Sequence, residues 1–196
     1  MTREQIEKTV KNKGYIWFNS NKDYDVNIVG IRNSKTGSKV TNVFDDLITI
    51  SYKINGEWKF HSWTATTDPG KKSILSYSNY KGCAILVPGQ YRSSHIIRLH
   101  NGKYKALGQE NPVKVFRDKT KDLKFEFDPK TIDEGLFGIN IHKAGIESTY
   151  VDGWSAGCQV FKRTKDFNEF MAICEKAKEI HGNKFSYTLL ESKDIK

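Results

Sequence analysis

Short runs along this chain alternate apolar and polar residues with period two, the signature of strands that bury one face. Two such runs, residues 47–54 and 57–63, flank Asn55-Gly56. That pair supplies the positive-φ positions of a two-residue turn, so the stretch predicts a β-hairpin. Further strands are expected at residues 27–32, 95–100, 104–107, 113–117, 124–127, 138–142, 158–161 and 185–189. Residues 83–87 are apolar throughout, which suits a fully buried strand ended by Pro88-Gly89. Thr66-Thr-Asp-Pro-Gly70 predicts a turn or loop. Two segments read as helices. Residues 3–13 begin after Thr2, a suitable cap, and carry Glu4 and Glu7 early. In residues 164–182, Phe167, Phe170, Met171, Cys174 and Ala177 recur at spacings of three and four, with Thr164 as cap and Gly182 as stop. Many short strands with one or two helices predict a mainly-β fold, a single-domain β-sandwich or partly open barrel. Residues 1–20 form an N-terminal helical extension and residues 164–182 a C-terminal helix of one domain spanning residues 1–196.

Composition narrows the class. The 196 residues are 37% hydrophobic, 28% charged and 12% aromatic, which suits one folded core and excludes a disordered chain. No apolar run approaches the roughly 18 residues of a membrane span. The first residues have no apolar stretch of signal-peptide type. The net charge of +9 favours anionic partners, and equally describes a plain solvated basic surface. The basic residues are dispersed without interleaved aromatics, which argues against a nucleic-acid module. Three cysteines, Cys83, Cys158 and Cys174, are an odd number and argue against a disulfide framework. No Cys-x-x-Cys or His-x-x-x-His pair suggests a structural zinc site. No metal and no cofactor is implied.

Cys158 stands apart from the other two. Cys83 sits inside an apolar run and Cys174 on the apolar face of the last helix, where a cysteine is a small hydrophobe. Cys158 follows the small residues Ser155-Ala156-Gly157, which let a substrate backbone approach the sulfur. A thiol needs a base or a cation to become a good nucleophile at neutral pH, and histidine is the usual partner. His142 lies at the end of an expected strand, Cys158 at the start of another, with Gly145 and Gly153 between them. Two antiparallel neighbours would bring both side chains to one sheet end. Gly157 and Ser155 can shape a turn that aims backbone N–H groups at a developing oxyanion. A backbone carbonyl, Asn140 or Asp152 is available to orient His142.

His142, a twelve-residue spacer, then Ser155-Ala156-Gly157-Cys158 resembles the signature of the L,D-transpeptidase catalytic domain, the YkuD-like family, and residues 138–142 resemble its strand leading into the histidine. Residues 66–70 faintly resemble the family's Thr-Pro-x-Gly segment. The resemblance implies a β-sandwich-like protein whose cysteine attacks a stem-peptide carbonyl of peptidoglycan, giving an acyl-enzyme resolved by an amine or water. Carried over, Cys158 is the nucleophile, His142 the base, and Gly157 and Ser155 belong to the oxyanion turn. Ala156 stands where the family often has histidine, and Gln159 where it has a hydrophobic residue, which leaves hydrolysis and transfer both open. The chain as a whole also resembles proteins found in phages and gut-type bacteria. Action at the cell wall, or within a phage particle beside other virion proteins, would suit a chain without a signal peptide. The alternative is a virion structural or wall-binding module that keeps the fold without turnover, and a non-wall substrate is a third reading.

Weaker signals surround the pair. Arg98 and His100 share a strand face, as carboxylate or site contacts or as an ordinary polar face. Trp154 and Gln159 flank the cysteine and could meet substrate. Tyr91 and Arg92 are cleft-wall candidates. His61 reads as an exposed strand residue, and His181 as a structural residue at a helix end.

Overall fold

The computed structural model describes all residues, 1–196. The chain is mainly β, as expected, and the sheet closes on itself as a barrel. In chain order the elements are α1 (Arg3–Asn12), β1 (Asn27–Arg32), β2 (Asp46–Ile54), β3 (Glu57–Thr66), α2 (Lys71–Leu75), β4 (Cys83–Leu86), β5 (Gly89–His100), β6 (Tyr104–Gln109), β7 (Val113–Asp118), β8 (Asp133–Gly135), β9 (Ile141–Lys143), β10 (Gln159–Phe161), α3 (Thr164–His181) and β11 (Phe185–Glu191). Eight strands close the barrel in the order β1-β11-β5-β6-β9-β10-β3-β2, and β4-β7-β8 form a separate antiparallel sheet. Closure removes the exposed edges an open sheet would present. Two pairs are parallel, β1 with β11 and β9 with β10.

Alternation sorts the side chains. Ile28 joins the central cluster, while Val29 and Ile31, its neighbours in β1, pack outside the barrel under α1 with Ile6, Val10 and Trp17. Leu189 and Leu190 divide the same way. The N-terminal segment is thus part of the packed fold, and Thr2 starts α1 through a capping box with Gln5. α3 presents Phe167, Phe170, Met171, Cys174 and Ala177 to the central cluster, where Trp63, Phe161 and Leu107 meet them. Burial of Phe167 and Phe170 contributes roughly 1.5–3 kcal/mol each. Tyr187 crosses the barrel interior. A Cβ at Gly30 would lie 1.8 Å from its hydroxyl, so only glycine fits there.

Several expectations are corrected. Residues 124–127 form no strand, because the N–H groups of Lys124 and Glu126 donate to the carboxylates of Asp122 and Asp118. Thr164 is the first residue of α3 and not its cap; Arg163 occupies the cap without a side-chain bond, and the Thr164 hydroxyl donates to Gly145 O at 2.8 Å. β9 begins only at Ile141, since Gly138 turns the backbone to φ +71. His61 is half-buried and stacks between Tyr52 and Trp63. α2 and β8 were not legible in the pattern. No helix is long and apolar enough to cross a membrane.

Candidate active site

The expected antiparallel arrangement of the two strands is overturned: β9 and β10 run parallel, with Gln159 opposite Ile141 and Val160 opposite His142. Parallel neighbours need a crossover connection, and residues 144–158 supply it. One register step back, Cys158 falls opposite Asn140. Ile141, Gln159 and Phe161 are turned inward, so His142, Val160 and Cys158 share the outer face. His142 and Cys158, the expected base and nucleophile, are therefore two residues apart along neighbouring strands, roughly 7 Å. No hydrogen bond joins the ring to the sulfur. The Cys158 thiol instead donates to Gly138 O at 3.2 Å.

The turn before Cys158 is held tightly. Ser155 is fully buried, its hydroxyl donates to Cys158 O at 2.8 Å, and it accepts from Gly157 N–H at 3.2 Å. This hydroxyl shapes the turn and is not free to serve an oxyanion. Gly157 has φ +127, and a Cβ there would sit 2.5 Å from Ala84 O. Gly70 N–H donates to Ser155 O at 2.9 Å, so the 66–70 segment braces the same turn. The Cys158 N–H has no partner and adjoins its own sulfur, the position an oxyanion donor needs.

His142 is buried, and its Nδ1 faces Lys143 O at 2.9 Å. A carbonyl only accepts, so Nδ1 carries the proton and Nε2 keeps a lone pair. A backbone carbonyl orients the ring. Asn140 instead accepts from Gln109 N–H, and Asp152 from the Asn42 amide. His100 stacks on His142 with ring centroids 4.3 Å apart. Burial lowers the His142 pKa to about 4; the bond to Lys143 O opposes this and His100 adds to it. Burial alone lowers that of His100. Burial raises the Cys158 thiol to about 11, against the Asn140 N–H, which favours the thiolate. The resting pair is a neutral thiol and a neutral imidazole.

Of the flanking residues, Arg98 lies across Gly108 on this outer face, where a Cβ would meet its Nε at 2.0 Å. It donates to Gln109 O at 2.6 Å and pairs with Glu110 at 3.4 Å. Trp154 is half-exposed at the rim, its ring next to Gly145. Gln159 is corrected as a substrate contact: fully buried in the barrel, it accepts from the Tyr187 hydroxyl at 2.7 Å. Tyr91 is corrected likewise, because its hydroxyl donates to Val87 O at 2.6 Å beside Lys114 O, and burial raises its pKa. Cys83 and Cys174 are buried, with Cys83 pushed up to about 12 by burial.

Sequence reasoning missed a cavity of about 410 Å³ beside the turn. Its lining includes Ala84, Ala156, Phe137 and Arg117. Ala156 precedes the cysteine by two residues, and Phe137 precedes the glycine whose carbonyl holds the thiol. The signal was faint: Gly138 before a strand, and an isolated Arg117 in an alternating run. No three His, Cys, Asp or Glu side chains are grouped to hold a metal ion. Neither a family model, nor a curated protein, nor a solved structure matches this chain.

Proposed function

We propose that the chain is a cysteine acyltransferase or peptidase of the L,D-transpeptidase type, acting on peptidoglycan stem peptides through Cys158. The observation that supports this best is the shared outer face: a half-buried thiol with its own N–H unpaired, beside a histidine whose Nε2 is a free acceptor. The thiol rotates from Gly138 O toward His142 and gives its proton to Nε2 as sulfur attacks the peptide carbonyl. The oxyanion forms at the Cys158 N–H. The C–N bond breaks, the leaving amine takes the proton from His142, and a thioester remains on Cys158. An amine or water then attacks, returning a proton to the sulfur through His142. The cavity beside Ala156 offers room for the acyl donor.

To test this, muropeptides are incubated with wild type and Cys158→Ala, and products are read by mass spectrometry. New products with wild type alone support the reading. Identical products from both proteins sink it.

Three observations favour a second reading, a wall-binding or virion module without turnover. The thiol is bound to a carbonyl, His142 does not touch it, and the chain is strongly basic. That reading expects salt-sensitive sedimentation with purified wall, unchanged in Cys158→Ala and without cleavage.

A further inference from the structure

Between the β7–β8 sheet and the segment leading from β7 lies a second cavity, of about 610 Å³. Its only apolar lining residue is Ile132. Lys81, Arg117, Lys119 and Lys130 line it against the carboxylates of Glu126 and Asp133. Asp133 is shared: Lys81 Nζ and Arg117 Nε both reach its Oδ2, each at 3.2 Å. One carboxylate thus serves two cations, while Lys119 and Lys130 have no ion pair at all. The cavity keeps an excess of positive charge.

The site is built rather than diffuse. Arg117 is buried, held by Asp133 and by Gly82 O at 3.4 Å, with its guanidinium 4.4 Å from the centre of the Phe137 ring. Its Nη2 has no hydrogen bond. The following segment is fixed by Asp118, which accepts from Thr120 N–H and hydroxyl through one oxygen and from Glu126 N–H through the other. A pre-oriented guanidinium with two free ammonium groups matches a doubly charged anion offering three acceptor oxygens better than a single carboxylate. The cavity has room for a larger polar group that carries such an anion.

We infer that this cavity binds a phosphate monoester, borne on a polar ligand such as a sugar or polyol phosphate. The site does not involve Cys158 and stands whether or not that residue reacts.

The full chain is titrated calorimetrically at low salt with inorganic phosphate, glycerol phosphate and a poly(glycerol phosphate) oligomer. Saturable binding is expected, weakened about tenfold or more in Lys119→Ala/Lys130→Ala, whose side chains are exposed and whose folding is not at risk. The equal-charge control Lys8→Ala/Lys165→Ala, exposed elsewhere, stays within about twofold. Preference for glycerol phosphate over the oligomer supports the site; preference for the oligomer, whose internal phosphates are singly charged diesters with two free oxygens each, overturns it. Absence of binding to all three probes overturns the inference. So does an equal loss in the two double variants, which would mean attraction to the whole basic surface.

Discussion

The imidazole of His100 lies on that of His142, centroids 4.3 Å apart and planes 19° from parallel. A positive charge on His100 at that separation opposes a proton on His142, so the stack adds to the burial that keeps His142 neutral. His100 reaches this position from the end of β5, across Tyr104, which faces it in the register. Removing the ring takes away a neighbouring positive charge and opens His142 to water. Both effects raise the His142 pKa. In His100→Ala, the His142 proton resonance should therefore titrate well above its wild-type midpoint of about 4, toward the ordinary histidine value. An unchanged midpoint in a pH-dependent NMR series would show that the stack has no electrostatic role.

The thiol of Cys158 should be sluggish in the free protein. Burial holds it at about 11, and its hydrogen bond to Gly138 O is one that only the protonated form can donate. At pH 7 the thiolate fraction is then roughly two orders of magnitude below that of free cysteine. Alkylation by iodoacetamide, followed by intact mass, should be slower in that proportion and climb steadily to pH 10. A rate plateau near neutrality would mean a preformed thiolate and a different resting geometry.

The parts of this molecule legible in its sequence are those set by local pattern. Asn55-Gly56 fixed the hairpin, period-two runs marked the longer strands, and the apolar stripe of α3 named its buried residues. The pairing of β9 with β10 was not legible, because three-residue strands carry no register of their own and long-range closure decides their direction. Gln159 illustrates the cost of that. Read beside a reactive cysteine it looks like a substrate contact, but the side-chain period of two turns it into the barrel once Cys158 faces out. Arg98 and His100 were grouped correctly on one face by the same period. The stacking of His100 on His142 needed the curvature of the closed sheet, which no local signal encodes.

The turn at 155–158 should tolerate almost nothing. Gly157→Ala must hold φ +127, closed to side chains, and place a Cβ 2.5 Å from Ala84 O. A loss of about 2–4 kcal/mol is expected from the strain and displacement together. Ser155→Ala leaves the Gly157 N–H without its acceptor in a buried turn, at about 1–3 kcal/mol. Urea unfolding would measure both, and stability equal to wild type in Gly157→Ala would show that the turn can relax.

His95 offers a separate test of burial. It is enclosed in the barrel, with Nε2 facing Ile139 O and Nδ1 facing the Ser94 hydroxyl, each at 2.8 Å. Burial lowers its pKa to about 4, with Ile139 O opposing. A histidine depressed in the folded state contributes stability that is complete above the unfolded value of about 6.5 and lost as pH falls toward 4. The contribution is on the order of 3 kcal/mol. Asp46, raised to about 7 mainly by burial and also by Asp68, acts with the opposite sign in part of this window, so the raw stability curve mixes the two. The difference between wild type and His95→Gln isolates the histidine. That difference should shrink as pH is lowered from 7 to 4.5; a constant difference would mean that His95 is not held neutral.

The same two shifts at Cys158 and His142 shape the pH dependence of any turnover. A preformed thiolate–imidazolium pair would be active only between two pKa values set by the pair. In the proposed chemistry the reacting forms are the neutral thiol and the neutral imidazole, with the proton moving during attack. If the proposal holds, activity should rise as His142 loses its proton near pH 4 and fall as the thiol ionises near pH 11. The expected profile of kcat/KM for a muropeptide is therefore a broad plateau across the neutral range, with limbs at its acid and alkaline extremes. His100→Ala should move only the acid limb, upward, because it raises the pKa of His142 and leaves the thiol untouched. A narrow bell centred near pH 7 in wild type, or an alkaline limb that moves in His100→Ala, would contradict the neutral-pair chemistry.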